Sequence, residues 1–249
     1  MAQLRRQQLA ASDQSGVFFA VAMDLADPAV QVDQNVTTDV HSRFKEQIGE
    51  RLALGGRAVA FGEADVPWRG PTAVSAKLLT AGEYLKSFSR SQCDFVLNCR
   101  DVSERLLVIT AATGAGEEVD VKFDNVGPSG MILKAAGLFE LGSSSTGWQN
   151  ATGKLHGSNS IIVSASTSWR ALASGSLLEV RYAQYDAPCI PTNDKAGMSP
   201  GGGGEPGPAT TGDFLAEVSC PIYSEYMARG VGEQGVLLPS PPFWLNVTR

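Results

Sequence analysis

The first long apolar run lies near the start of the chain. Val17, Phe18, Phe19, Ala20, Val21, Ala22 and Met23 follow one another without a polar break. An uninterrupted run of this length predicts a strand covered on both faces, as in a parallel sheet flanked by helices. It stops at Asp24-Leu25-Ala26-Asp27-Pro28, where carboxylates and proline end an extended segment. A polar loop follows to about Ser42. Phe44, Ile48, Leu52, Ala53 and Val59 then recur at helical spacing, and Gly62 marks the stop.

Beyond about Val66 the period changes. Short β-rich runs bounded by Gly, Pro, Ser and Asp occupy 73–78, 95–97, 106–110, 119–123, 161–165 and 177–182. Glu118-Val119-Asp120-Val121-Lys122-Phe123 alternates strictly, as a half-buried strand does. Short strands with turn signals between them predict a β-sandwich. The expected organisation is thus an α/β piece over 1–64 and a β-sandwich domain over 65–249. Gly201–Gly204 and Pro206-Gly207-Pro208 mark a flexible Gly/Pro-rich insertion at about 190–212. Without a strand before them and a helix behind, these glycines do not make a phosphate loop.

Composition narrows the class. Over 249 residues, 43% are hydrophobic and 18% charged, an ordinary globular balance. A formal net charge of -6 excludes the basic face that a nucleic-acid binder needs. No run approaches the ~18 apolar residues of a membrane-spanning helix. The basic residues at Arg5 and Arg6 have no apolar signal core behind them, so no secretory leader is visible. With only two histidines and no CxxC pair, no zinc site is expected.

Chemistry concentrates at Asp39-Val40-His41. These residues follow the carboxyl end of the expected strand, where ligands and catalytic groups of α/β sheets gather. A histidine beside a carboxylate can act as an oriented general base near neutral pH. Many surface loops share the bare D-x-H spacing. Ser129, Ser143–Ser145 and Ser158–Ser160 stand in turn-like stretches and not in the G-x-S-x-G frame of a nucleophile. His156 reads as a turn histidine, and Trp68, Trp148, Trp169 and Trp244 as core or edge packing.

Three blocks carry a family resemblance. Val21–Pro28, Asp39–Lys45 and Gly49–Gly62 follow the order D-x-H-P-x-x-K, helix, R-L-A-L-x-A-R-A-x-A-Y-G. Val180-Arg181-Tyr182-Ala183, Pro188-Cys189, Cys220-Pro221-Ile222-Tyr223 and Leu238-Pro239-Ser240-Pro241-Pro242-Phe243 answer to V-R-Y-A-W, P-C, C-x-x-Y and L-P-A-P-P-F. This pattern resembles the C-terminal portion of the sialate O-acetylesterase family, with the middle, 64–175, matching loosely. Ser42 stands where the family has proline, Gln184 and Tyr185 where it has an aromatic pair, and the stretch between Cys189 and Cys220 is longer than usual.

The resemblance implies the last strand and helix of an SGNH-like α/β hydrolase domain followed by a β-sandwich. It implies a serine hydrolase acting on O-acetylated sialic acid or a related acetylated sugar, with no metal and no organic cofactor. His41 would be the general base and Asp39 its orienting carboxylate. The nucleophilic serine has no counterpart here, so the chain alone is expected to be inactive, its partner being a missing N-terminal half in cis or as a separate subunit. Two rivals stay open: a non-catalytic carbohydrate-binding or interaction protein, and an acetyl esterase on plant polysaccharide. Sequons at Asn35, Asn150 and Asn246 point to N-glycosylation and to a secreted or lysosomal location. In such a compartment Cys189 and Cys220 are expected to pair across a loop of about 30 residues. Cys93 and Cys99 are expected as buried thiols; coincidental sequons and reduced cysteines are the alternative.

Overall fold

The computed structural model describes residues 2–25, 45–79, 118–165, 178–184, 189, 220–226 and 236–248. It is mixed α/β, with many strands and few helices. Asp39, His41, Asn35, Cys93, Cys99, the runs at 95–97 and 106–110 and the Gly/Pro-rich insertion lie outside the described residues. The chain divides into two compact units, Met1–Thr72 with Phe123–Ala135 and Ala183–Phe243, and Ala73–Lys122 with Ala136–Tyr182 and Trp244–Arg249.

The first unit opens with helix α1, Ala2–Ala11. Its sequence, rich in Ala, Leu, Arg and Gln, consists of strong helix formers. The Ser12 hydroxyl donates to the Leu9 carbonyl at 2.6 Å, and Gly16, at φ 78°, turns the chain away. Helix α2, Lys45–Gly55, runs into a wider π turn over Gly56–Ala60. It arises where the apolar spacing predicted a helix, but its buried face differs. Arg51, Leu54 and Gly55 point inward, while Leu52 is 43% exposed.

Three short strands complete this unit: β3 (Met131–Leu133), β8 (Ile222–Tyr226) and β9 (Val236–Pro239). They form an antiparallel sheet in the order β3-β8-β9, with Ile132 opposite Tyr223 and Tyr223 opposite Pro239. Met131, Ile222, Tyr223 and Leu238 are buried. Phe123 packs edge-on against Phe243 at 5.7 Å between centroids. A disulfide joins Cys189 to Cys220, both fully buried, with Cα atoms 4.7 Å apart.

The second unit is a closed barrel. Strands β1 (Thr72–Leu78), β2 (Glu118–Asp124), β4 (Phe139–Ser143), β5 (Gly147–Leu155), β6 (Ser160–Ala165), β7 (Glu179–Tyr182) and β10 (Phe243–Thr248) follow the order β1-β10-β7-β4-β5-β6-β2. This corrects the expectation of a sandwich. The inside-outside alternation of each strand is the same in both architectures, so sequence period alone does not separate them. Closure depends on the last strand, β10, which lies parallel to β1 with Ala76 opposite Val247.

Inward residues of alternate parity fill the barrel. Val119, Val121, Leu141, Ile161, Val163, Val180 and Tyr182 are all 0% exposed. Phe139 lies 5.3 Å from the Tyr182 ring, and a Cβ at Gly153 would come within 2.5 Å of the Phe139 ring. Only glycine lets that ring reach the β5 backbone. The outer face is polar. Arg181 grips Glu140 with two hydrogen bonds of 2.8 and 2.9 Å, the Ser160 hydroxyl bonds Asp120, and the Ser164 hydroxyl donates to Glu118 Oε1 at 3.0 Å.

Half-buried Glu118 is the outer carboxylate whose surroundings oppose its charge. Loss of solvent pushes its pKa up, against the Ser164 hydrogen bond and the Lys154 and His156 charges, and its Oε2 is buried without a hydrogen-bond partner among the described residues. A folded pKa above the unfolded one gives stability that is present in acid and lost as pH rises through the folded value. Glu118→Gln should therefore raise the thermal midpoint at neutral pH by roughly 1–2 °C, a small value because solvent screens the site. Scanning calorimetry should show the gain vanish below about pH 4, where both states of the carboxyl are protonated. A gain equal at all pH values would contradict the assignment.

Candidate functional site

The segment Val17–Ala22 is extended but belongs to no sheet; a short 3-10 turn, Met23–Leu25, follows it. This corrects the expected covered strand. Among the described residues no neighbouring strand pairs with it, and its residues are half-buried or exposed, not sealed on both faces. Side chains hold it instead. The Phe18 and Phe19 rings stand edge-on to Trp68 at 6.4 and 6.3 Å, and the Phe18 ring occupies the space a side chain at Gly55 would need.

The turn ends this segment on a buried charge. Asp24 is 2% exposed and Arg51, from the middle of α2, is 4% exposed. Arg51 Nη1 and Nη2 donate to Asp24 Oδ1 and Oδ2, both at 2.7 Å, in the two-pronged geometry that guanidinium and carboxylate share. Nη1 also donates to the Val21 carbonyl at 2.6 Å. From β8, the Tyr223 hydroxyl donates to Asp24 Oδ2 at 3.3 Å. The carboxylate is thus met by three donors. A lone ion here would cost several kcal/mol of lost hydration, and the paired geometry offsets that cost.

A cleft opens beside this network, lined by Phe19, Val21, Arg51, Trp68, Arg69 and Pro239. The Arg69 guanidinium lies 4.2 Å from the centre of the Trp68 ring. At Gly70 the backbone runs so close to the Leu238 and Pro239 carbonyls that no side chain fits. Arg51 stands in the R-L-A-L block, Tyr223 in C-x-x-Y, and Leu238–Phe243 form L-P-x-P-P-F. Three signatures far apart in the sequence therefore meet in one unit.

Asp39 and His41 fall in the segment 26–44, outside the described residues; that segment leaves the turn at Leu25 and returns at Lys45. The described residues thus include the network of Asp24, Arg51 and Tyr223 and neither member of the expected catalytic pair. Sequence reasoning treated Asp24 as a strand breaker and gave Arg51 and Tyr223 no role. The available signal was their place in three signature blocks, with a buried-type position for each charge. Among the described residues no cluster of three or more His, Cys, Asp or Glu side chains could hold a metal.

No family model matches the chain. Over 68 residues, 27% of this chain, it is 40% identical to the sialate O-acetylesterase of Rattus norvegicus. Over that stretch the chain is similar to a sialate O-acetylesterase. The match spans 12% of the rat protein's length. A solved structure described as a novel carbohydrate acetylesterase from Xanthomonas citri superposes at a TM-score of 0.43 and 18% identity, covering 90% of this chain and 31% of that one.

The Tyr223 hydroxyl is the neutral member of the buried network. Tyr223→Phe keeps the ring and the ion pair and removes one hydrogen bond. It should cost about 1–2 kcal/mol, the upper range for a bond to a charged acceptor being limited here by its 3.3 Å length. Urea unfolding of the two proteins checks this. An unchanged midpoint would mean that the hydroxyl does not support Asp24.

Proposed function

We propose that these residues form part of a carbohydrate O-acetylesterase of the serine-histidine type, with O-acetylated sialic acid or a related acetylated sugar as substrate. The observation that carries this reading is the convergence of Asp24, Arg51 and Tyr223, from three signature segments, into one buried network. In sequence, Asp24 precedes and Arg51 follows the segment bearing Asp39 and His41. The 40% identity to the rat protein over 68 residues supports the ester-hydrolase class.

In this reading His41 is the general base and Asp39 holds its tautomer and supports its charge. A serine oxygen attacks the acetyl carbonyl as the imidazole takes its proton. The imidazolium then returns that proton to the departing sugar oxygen, leaving an acetyl-serine that water cleaves by the same relay. None of Ser129, Ser143–Ser145 and Ser158–Ser160 stands in a G-x-S-x-G frame, so the reading assigns the nucleophile to a missing N-terminal half, in cis or as a separate subunit. Residues 1–64, with the β3-β8-β9 sheet of the same unit, then serve as the closing piece of an SGNH-like domain and the barrel as its companion domain. The route of such a protein is secretory or lysosomal.

The reading predicts that the 249-residue chain alone does not turn over acetyl esters. Acetate release from O-acetylated sialic acid should match that of a His41→Ala control, because a triad without its nucleophile retains only weak residual catalysis. Turnover at least tenfold above that control would place a working nucleophile within the chain and overturn the division of labour proposed here.

A further inference from the structure

Two of the four tryptophans stand two residues before a sequon asparagine: Trp148-Gln149-Asn150-Ala151-Thr152 and Trp244-Leu245-Asn246-Val247-Thr248. The third sequon, at Asn35, has Asp33 in that place. Both W-x-N-x-T stretches are strands of the same barrel, β5 and β10. Side chains of a strand alternate between faces, so Trp, Asn and Thr of each stretch share one face. Burial identifies that face as the outer one. Asn150 and Thr152 are exposed while Ala151 and Gly153 are buried; Asn246 and Thr248 are exposed, and Phe243, of the opposite parity, is buried.

Each indole is half-buried beside its asparagine, about 7 Å along the strand. That spacing suits the first sugar of a chain attached to the asparagine. The C–H edges of a pyranose carry partial positive charge, and the indole face carries negative quadrupolar charge, so the two attract while water leaves both. Around Trp148 the support is built. Gly142 stands opposite it on β4 with no side chain, and the Arg181 guanidinium lies 3.7 Å from its ring centre. Arg181 is itself held by the two hydrogen bonds to Glu140.

We propose that Asn150 and Asn246 carry N-linked glycans whose first sugar packs on Trp148 and Trp244, stabilising the barrel. The Cys189–Cys220 disulfide supports the required compartment, since structural disulfides persist where the environment is oxidising. The reaction transfers an oligosaccharide from a lipid diphosphate donor. The asparagine amide nitrogen displaces the diphosphate from the anomeric carbon, a C–N bond forms as the C–O bond breaks, and the amide proton leaves to base. The inference is independent of the esterase reading, because it needs neither His41 nor a nucleophile.

The test is secretion of the full 249-residue chain from a eukaryotic host behind a cleavable leader, beside the same chain made without glycans in an oxidising bacterial cytoplasm. Release of glycans in heavy-oxygen water, followed by peptide mapping, should mark Asn150 and Asn246 as labelled aspartates. Thr152→Ala and Thr248→Ala, which remove the sequons, should each lower the thermal midpoint by roughly 2–4 °C more in the secreted protein than in the bacterial one, where they remove only the hydroxyl bonds to the Ser164 and Ala76 carbonyls. With Trp148→Leu or Trp244→Leu in the background, the secreted protein should lose that difference. Trp→Phe at either position keeps a weaker platform and replaces the Leu variant if that fails to fold. Unmodified asparagines in the secreted protein, or a glycan-dependent shift that survives the loss of the indole, would overturn the proposal.

Discussion

A single buried ion pair determines how the first unit is assembled. Asp24 and Arg51 have almost no solvent, and each carries a charge that the interior rejects unless it is paired. The two-pronged contact, with Val21 and Tyr223 adding a carbonyl and a hydroxyl, meets that condition. It fixes the turn after the extended segment against the middle of α2. It also ties both to β8, three residues beyond the disulfide-bonded Cys220. An apolar contact at the same place would permit sliding of helix on segment, whereas a planar fork on a planar carboxylate sets both distance and angle.

The barrel depends on a different constraint, the need to leave no open edge. Seven strands with a filled interior close on one another, and the last strand of the chain supplies the closing neighbour of the first. Gly153 makes room for Phe139 inside, and the polar outer face is laced by Glu140–Arg181, Asp120–Ser160 and Glu118–Ser164 pairs. Ser160 and Glu140 are buried, so these contacts are part-screened from water, each contributing about 1 kcal/mol. Their consequence is register: each joins neighbours on adjacent strands, and a slip by one residue would turn every inward valine to water.

Much of this was legible in the sequence, and the gaps have physical causes. Strict alternation located β2, and compact apolar runs located β1, β6 and β7, because burial on one or both faces leaves a period-two or continuous pattern. Strand β5 was missed: Gly147-Trp148-Gln149-Asn150-Ala151-Thr152-Gly153-Lys154-Leu155 puts glycine and alanine inside and polar groups outside, so it lacks the expected contrast. Strands β8 and β9 carry only signature blocks, and no expected run covers β3, β4 or β10. The Val17–Met23 run was read as a strand from its apolar content, yet ladder partners, not content, make a strand. The helix at α2 was found but its inner face was not, since an arginine counts as an outward residue until its carboxylate is known. The aspartate-histidine pair was named from spacing and resemblance, and its segment lies outside the described residues.

The most direct test of this account is a double-mutant cycle on Asp24→Asn and Arg51→Gln, followed by urea unfolding at neutral pH. Each single change leaves one buried charge without its partner and should cost about 3–5 kcal/mol. The two changes together should cost less than the sum of the singles, by a coupling of roughly 2–3 kcal/mol between residues in direct contact. Single losses of under about 1 kcal/mol that simply add would contradict it, and would mean that the two signature segments are held together by something other than this charge pair.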